Sequence, residues 1–178
     1  MKPILASWSI FFCLCCFNLN YAQVVPSGNS EDQNYEDSVK YSQPEMAQAD
    51  LNLIVPPESF VVSEAFNGYI SYQNSTAIIM TQINNANYLK IAEGMNDSFY
   101  KANNLNFVSK ESFTSDNGVK GVMFKLSFEL KGDKYIRYMV YAGDLTKTLW
   151  LNITYPQMLE ELIELEILKS VKSINLKP

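Results

Sequence analysis

The chemistry open to this chain of 178 residues is narrowed first by what it lacks: there is no histidine, and its three cysteines, Cys13, Cys15 and Cys16, all lie near the N-terminus. Serine triads that need an imidazole, thiolate nucleophiles, and zinc sites built from His or Cys are therefore closed to the rest of the chain. Any response to pH near neutrality would need a strongly shifted carboxylate. Carboxylate chemistry remains, as in glycosidases that set two acids on either side of a bond. The acids that stand out, Asp116, Asp133 and Asp144, sit beside asparagine or glycine in apparent hairpin turns, where aspartate is common for backbone reasons. Nothing pairs them at a defined spacing. No phosphate-cradling glycine loop, calcium loop or basic cluster is present, so no cofactor and no metal is expected. Asn74, Asn96 and Asn152 begin Asn-X-Ser/Thr triplets, a short motif that decides nothing in an asparagine-rich chain.

The feature above background is aromatic. Tyr135, Arg137, Met139 and Tyr141 alternate onto one side of a strand, with Ile136, Tyr138 and Val140 on the other. In the next strand Trp150, with Thr148, Asn152 and Thr154, opposes Leu149, Leu151 and Ile153. With the apolar sides aligned, Trp150, Tyr135, Arg137 and Tyr141 share the second face of the sheet with Lys125 and Glu129. Trp, Tyr and Arg are enriched in binding hot spots, so these four are the candidate binding residues. The competing reading is that a helix covers this face and the rings are core.

Such a face needs strands to hold it, and the sequence supplies them. Apolar residues recur with a period of two near 51–55, 60–64, 68–74, 76–83, 105–114, 119–130, 135–143 and 147–155, broken by turn residues. Val122, Phe124, Leu126, Phe128 and Leu130 make the clearest apolar side. The last three strands, joined at Lys131-Gly132-Asp133-Lys134 and Gly143-Asp144, predict an antiparallel meander. Two segments follow the helical period instead. One covers 86–103, with Tyr88, Ile91, Met95, Phe99 and Ala102 on its apolar side, Gly94 as a weak point and Asn103-Asn104 able to end it. The other follows Pro156, with Glu160, Glu161 and Glu164 near its start and Lys169 and Lys172 near its end, which matches the helix dipole. The pattern predicts an α+β domain over 51–178.

Before it come two segments of different character. Residues 1–22 carry Lys2, an apolar run from Ile4 to Phe17 and a small residue at Ala22, the parts of a secretory signal cut before Gln23. The run is shorter than the roughly 20 apolar residues of a membrane span. A lipid anchor at Cys15 or Cys16 is the competing reading, although Leu14 and Cys15 stand where a lipoprotein signal wants a small residue. Residues 23–50 hold six acids against the single base Lys40 and few apolar residues, which predicts a flexible acidic tether. The domain itself is nearly neutral and lacks the basic stripe of a nucleic-acid binder.

Leu53-Ile54-Val55-Pro56-Pro57-Glu58-Ser59-Phe60, the helix over 86–103, Asn117-Gly118-Val119-Lys120-Gly121 leading into a strand, and Leu149 to Pro156 followed by a helix together resemble the PsbP-like family. That family takes in PsbP, the Ran-binding Mog proteins and exported bacterial DcrB-like proteins. The resemblance implies an α/β/α sandwich with two main helices and a non-enzymatic binding or assembly role. The metal-contacting histidines of plant PsbP have no counterpart here. The reading is of an exported non-catalytic binding module, periplasmic, outer-surface or extracellular in a bacterium. Its partner is a protein or a small apolar ligand, with no nucleic acid and no membrane span. A carrier with a helix-grip-like cavity is the second reading and a carboxylate-dependent hydrolase the third.

Overall fold

The computed structural model describes residues 43–176; the expected signal segment and residues 23–42 of the expected tether lie outside them. The element order is β1 (Glu45–Gln48), β2 (Val61–Val62), β3 (Gly68–Ser71), β4 (Thr76–Asn84), α1 (Tyr88–Glu93), α2 (Asp97–Ala102), β5 (Asn106–Thr114), β6 (Lys120–Leu130), β7 (Asp133–Gly143), β8 (Lys147–Pro156) and α3 (Glu160–Lys172). The strands form one antiparallel sheet in the order β2-β3-β4-β8-β7-β6-β5, and β1 also pairs with β4. The domain is α+β, an eight-stranded antiparallel sheet with a few helices.

Each face of the sheet carries an apolar cluster. On one, Ile163, Ile167 and Val171 of α3 pack on Ile136, Tyr138, Val140, Leu151 and Ile153. On the other, Ala92 of α1 and Tyr100 of α2, with Met95 between the two helices, pack on Val122, Phe124, Met139 and Tyr141. The turn Asp116-Asn117-Gly118 binds the end of α3: the Asp116 amide donates to the Lys172 carbonyl at 2.8 Å and Asn117 Nδ2 to that of Ser173 at 3.1 Å.

Several sequence expectations shift. The helix expected over 86–103 is two helices of six residues each. Gly94 ends α1, and the Asn96 side chain accepts from the Phe99 amide at 3.1 Å to cap the start of α2. Asn104 takes the left-handed conformation expected of it, with φ 53°. Leu51–Leu53, expected as strand, is a 3-10 turn closed by Asp50, whose carboxylate accepts from the Asn52 amide at 2.9 Å. Glu45–Gln48, placed in the tether by composition, pairs with Thr81–Asn84 of β4, so the sheet begins before residue 51.

The face assignment also changes. Lys131 and Gly132 both have positive φ, 55° and 90°, as a two-residue hairpin turn with the sheet's twist requires. This turn sets Leu130 opposite Asp133 and carries the register up the hairpin to Leu126 opposite Arg137 and Val122 opposite Tyr141. Tyr135, Arg137 and Tyr141 therefore share a face with Phe128, Leu126 and Val122. Lys125 and Glu129, expected beside them, lie on the α3 face opposite Tyr138 and Lys134. Both sides of this sheet are apolar-lined, so matching apolar with apolar cannot choose between them; the turn does.

Candidate functional site

The four candidate binding residues do fall on one face. Trp150 is directly opposite Tyr141 in the β7–β8 pairing, and their rings stack with centroids 6.2 Å apart and planes 15° from parallel. Yet Tyr141 is only 5% exposed and Arg137 only 2%. Trp150 and Tyr135 are half-buried. Helix α1 lies against β6, β7 and β8 and covers the part of this face that holds Tyr141 and Trp150. Of the four, Trp150 and Tyr135 alone reach the surface, and only in part.

Arg137 is the unusual member. Its Nε donates to Thr154 Oγ1 at 3.2 Å, and its guanidinium lies 4.6 Å from the centre of the Phe128 ring. Phe128 in turn stacks on Tyr135 at 5.3 Å. Among the described residues no carboxylate comes within ion-pair distance. Burial pushes the guanidinium's pKa down to about 10, which leaves it charged at neutral pH. A cation held by one hydroxyl and an aromatic ring is an expensive thing to bury.

On the α3 face the fold assembles a polar cluster that sequence reasoning missed. Lys125 Nζ bonds both Glu160 and Glu164, the latter at 2.5 Å, and the Tyr138 hydroxyl donates to the same Glu164 oxygen. Sequence reading assigned the two glutamates to the helix dipole. The signal that could have found them is their i,i+4 spacing together with a lysine on the strand alternation that faces the helix. Burial opposes ionisation of Glu164, but the Lys125 ammonium and Tyr138 hydroxyl outweigh it and hold the carboxyl below its ordinary range. Burial likewise opposes the charge on Lys125, and its two glutamate partners overcome that and raise its pKa. Burial first, then Glu164, pushes the Tyr138 phenol up. The cluster is held as an ion network, with its lysine already shared between the two acids.

This network carries a pH dependence with a definite sign. Glu164 titrates lower in the folded state, so its contribution is present above the unfolded carboxylate value of about 4.3 and is lost as pH falls through the folded value. Lys125 titrates higher when folded, so its share is complete below about 10.4 and is lost as pH rises through the raised value. Between roughly pH 5 and 10 both are in place. Glu164→Gln is expected to lower stability there by about 1 kcal/mol, after allowance for solvent screening. The gap from wild type should close as pH falls through the lowered folded-state value of Glu164. Urea midpoints of both proteins across that range test this, and a gap that persists in acid would assign the loss to packing.

Two surfaces stay open. The first is a recess of about 500 Å³ between α2 and the edge strand β5, lined by Asn96 to Ser98, Tyr100, Phe107, Lys110 and Phe124. Tyr100 and Phe124 form its buried floor, whereas Phe107 is 50% exposed. The second is the outer side of α3, where Leu162 and Leu165 stand exposed three residues apart, with Met158 exposed in the 3-10 turn (Gln157–Leu159) that leads into the helix.

Of the three aspartates expected in turns, Asp133 opens β7 opposite Leu130, and Asp144 is held as a turn residue. Asp144 accepts from the amides of Thr146 and Lys147 at 2.7 and 2.8 Å, and these bonds hold its carboxyl below the ordinary value. Among the described residues no group of three or more acids, His or Cys is placed to hold a metal ion, and no helix is long and apolar enough to cross a membrane.

No family model matches the chain, and no curated protein matches it. Among solved structures, LpqN of Mycobacterium tuberculosis, which is involved in cell envelope biogenesis, is similar over 76% of this chain and 82% of its own, at 12% identity and a TM-score of 0.49. PA94 of Pseudomonas aeruginosa, a protein of unknown function, is similar over 67% of this chain and 97% of its own, at 9% identity and a TM-score of 0.42. At these values the likeness fixes neither family nor partner, and the PsbP-like resemblance rests on the sequence pattern alone.

Proposed function

We propose that this chain is an exported, non-catalytic binding or assembly module of the α/β/α, PsbP-like kind, working in the periplasm, at the outer surface or outside the cell. The observation that carries the binding role is the recess beside β5, an open concavity with aromatic walls and a lysine at its rim. This recess is an open depression and not an enclosed cavity, so what it offers a partner is an exposed ring beside a cation. A non-catalytic role is supported by the neighbouring acids Glu160 and Glu164, which share Lys125 and so are not free as an acid and a base. The carrier reading, with a ligand between the sheet and the C-terminal helix, has less support. That space is filled by Tyr138, Leu151, Ile153, Ile163 and Ile167, all buried.

Native mass spectrometry of the protein recovered from its producing cells tests this reading. The expected result is a polypeptide that starts at Gln23 and carries a bound partner or ligand. A diacylated Cys15 or Cys16 would replace free export by membrane anchoring. Turnover of a glycoside or ester that stops in Glu160→Gln or Glu164→Gln would overturn the non-catalytic role.

A further inference from the structure

The β5 strand departs from regular alternation at one place, and the departure builds one wall of the recess. Phe107 pairs with Leu126 and Ser109 with Lys125, so Val108 is an extra residue, a β-bulge in the edge strand. In an unbroken strand, positions 107 and 110 would point to opposite faces. The bulge turns both to the face of Phe124 and Leu126, since Lys110 pairs with Phe124. Bulges commonly re-aim side chains next to binding sites.

The result is an aromatic cleft with one cation. The Tyr100 and Phe107 rings lie 5.6 Å apart, tilted by 30°, and Phe124 closes the floor. The Tyr100 hydroxyl is spent on the Met95 carbonyl at 2.7 Å, so the ring is fixed and its polar end is satisfied. Lys110 Nζ stands 5.3 Å from the centre of the Phe124 ring, and among the described residues no carboxylate lies within ion-pair distance of it. Phe107, on the same β5 wall as Lys110, is half exposed and offers its open side as an anchor surface.

We propose that this recess binds a small aromatic anion: a flat ring laid against the exposed side of Phe107, its carboxylate or sulfonate against the Lys110 ammonium. The assignment rests on the binding-module reading and narrows it to a ligand class. Apolar walls favour a ring, and a lone ammonium at the rim favours one negative charge. Asp97 on the facing rim disfavours a second.

The test titrates the protein from its producing cells with 1-anilinonaphthalene-8-sulfonate, an aromatic anion, and with N-phenyl-1-naphthylamine, its uncharged relative, following fluorescence. Lys110→Gln is expected to weaken the sulfonate about tenfold, the loss of one charge-assisted contact, and to leave the amine unchanged. Phe107→Ala is expected to weaken both probes while leaving the thermal midpoint in place. Leu162→Ser, on the outer side of α3, is expected to alter neither. Absence of sulfonate binding would overturn the proposal, as would indifference of both probes to Lys110 and Phe107, or loss of binding in Leu162→Ser. A protein partner found by native mass spectrometry alongside any of these would leave the binding module standing and remove only its aromatic-anion ligand. Should Phe107→Ala unfold, the charged-against-neutral comparison in Lys110→Gln decides alone.

Discussion

Trp150→Ala is expected to lower the free energy of unfolding by about 3 kcal/mol, at the lower end of the range for aromatic truncation in a core. The indole is half-buried, stacked on Tyr141 and packed against the cluster that α1 and α2 bring to the sheet. Tyr141 in turn meets Phe124 edge-on, with centroids 6.2 Å apart. Removing the indole opens a gap that a sheet cannot close, because its backbone is pinned by β4 on one side and β7 on the other. Urea unfolding with an unchanged m-value measures the loss. A change under about 0.5 kcal/mol would mark the ring as a surface group and return it to the candidate binding residues.

The hairpin β6–β7 was legible because two signals agree, alternation over 119–130 and 135–143 and the polar turn Lys131-Gly132-Asp133-Lys134 between them; the structure extends β7 back to Asp133 and leaves Lys131-Gly132 as the turn. The hairpin's face was not legible. Alternation separates the two sides of a strand but does not say which sides of neighbouring strands coincide, and here both sides are apolar. Two positive φ values at Lys131 and Gly132 settle what hydrophobicity leaves open. The break between α1 and α2 was half legible, since Gly94 was a marked weak point, whereas the capping role of Asn96 depends on a bond visible only once the chain is folded. Glu45–Gln48 was illegible for another reason. Its polar composition argues for a tether, and its strand conformation is imposed by the edge of β4 that β3 leaves free. The recess escaped notice because it depends on the Val108 bulge, which breaks the alternation that sequence reading relies on.

Arg137 gives the second large effect, and two substitutions separate its causes. Arg137→Ala is expected to cost about 3 kcal/mol, since it removes a fully buried side chain whose stem packs between Leu126 and Thr154 in the sheet. Arg137→Met keeps most of that volume and removes the charge. Arg137 is 2% exposed, its guanidinium bonded to a single hydroxyl and stacked on Phe128, with no carboxylate among the described residues to offset its desolvation. Buried charges replaced by apolar residues of similar size often leave stability unchanged or improved, so Arg137→Met is expected to fall within about 1 kcal/mol of wild type. The single bond to Thr154 returns roughly 1 kcal/mol and the ring a similar amount, less than the cost of taking the cation out of water. Parallel urea unfolding of the two variants is the measurement. A methionine variant as unstable as the alanine one would show that the guanidinium's contacts, and not its volume, hold this part of the sheet. A methionine variant more stable than wild type would mark the charge as one that folding tolerates at a loss, the bond to Thr154 and the Phe128 ring falling short of the desolvation cost.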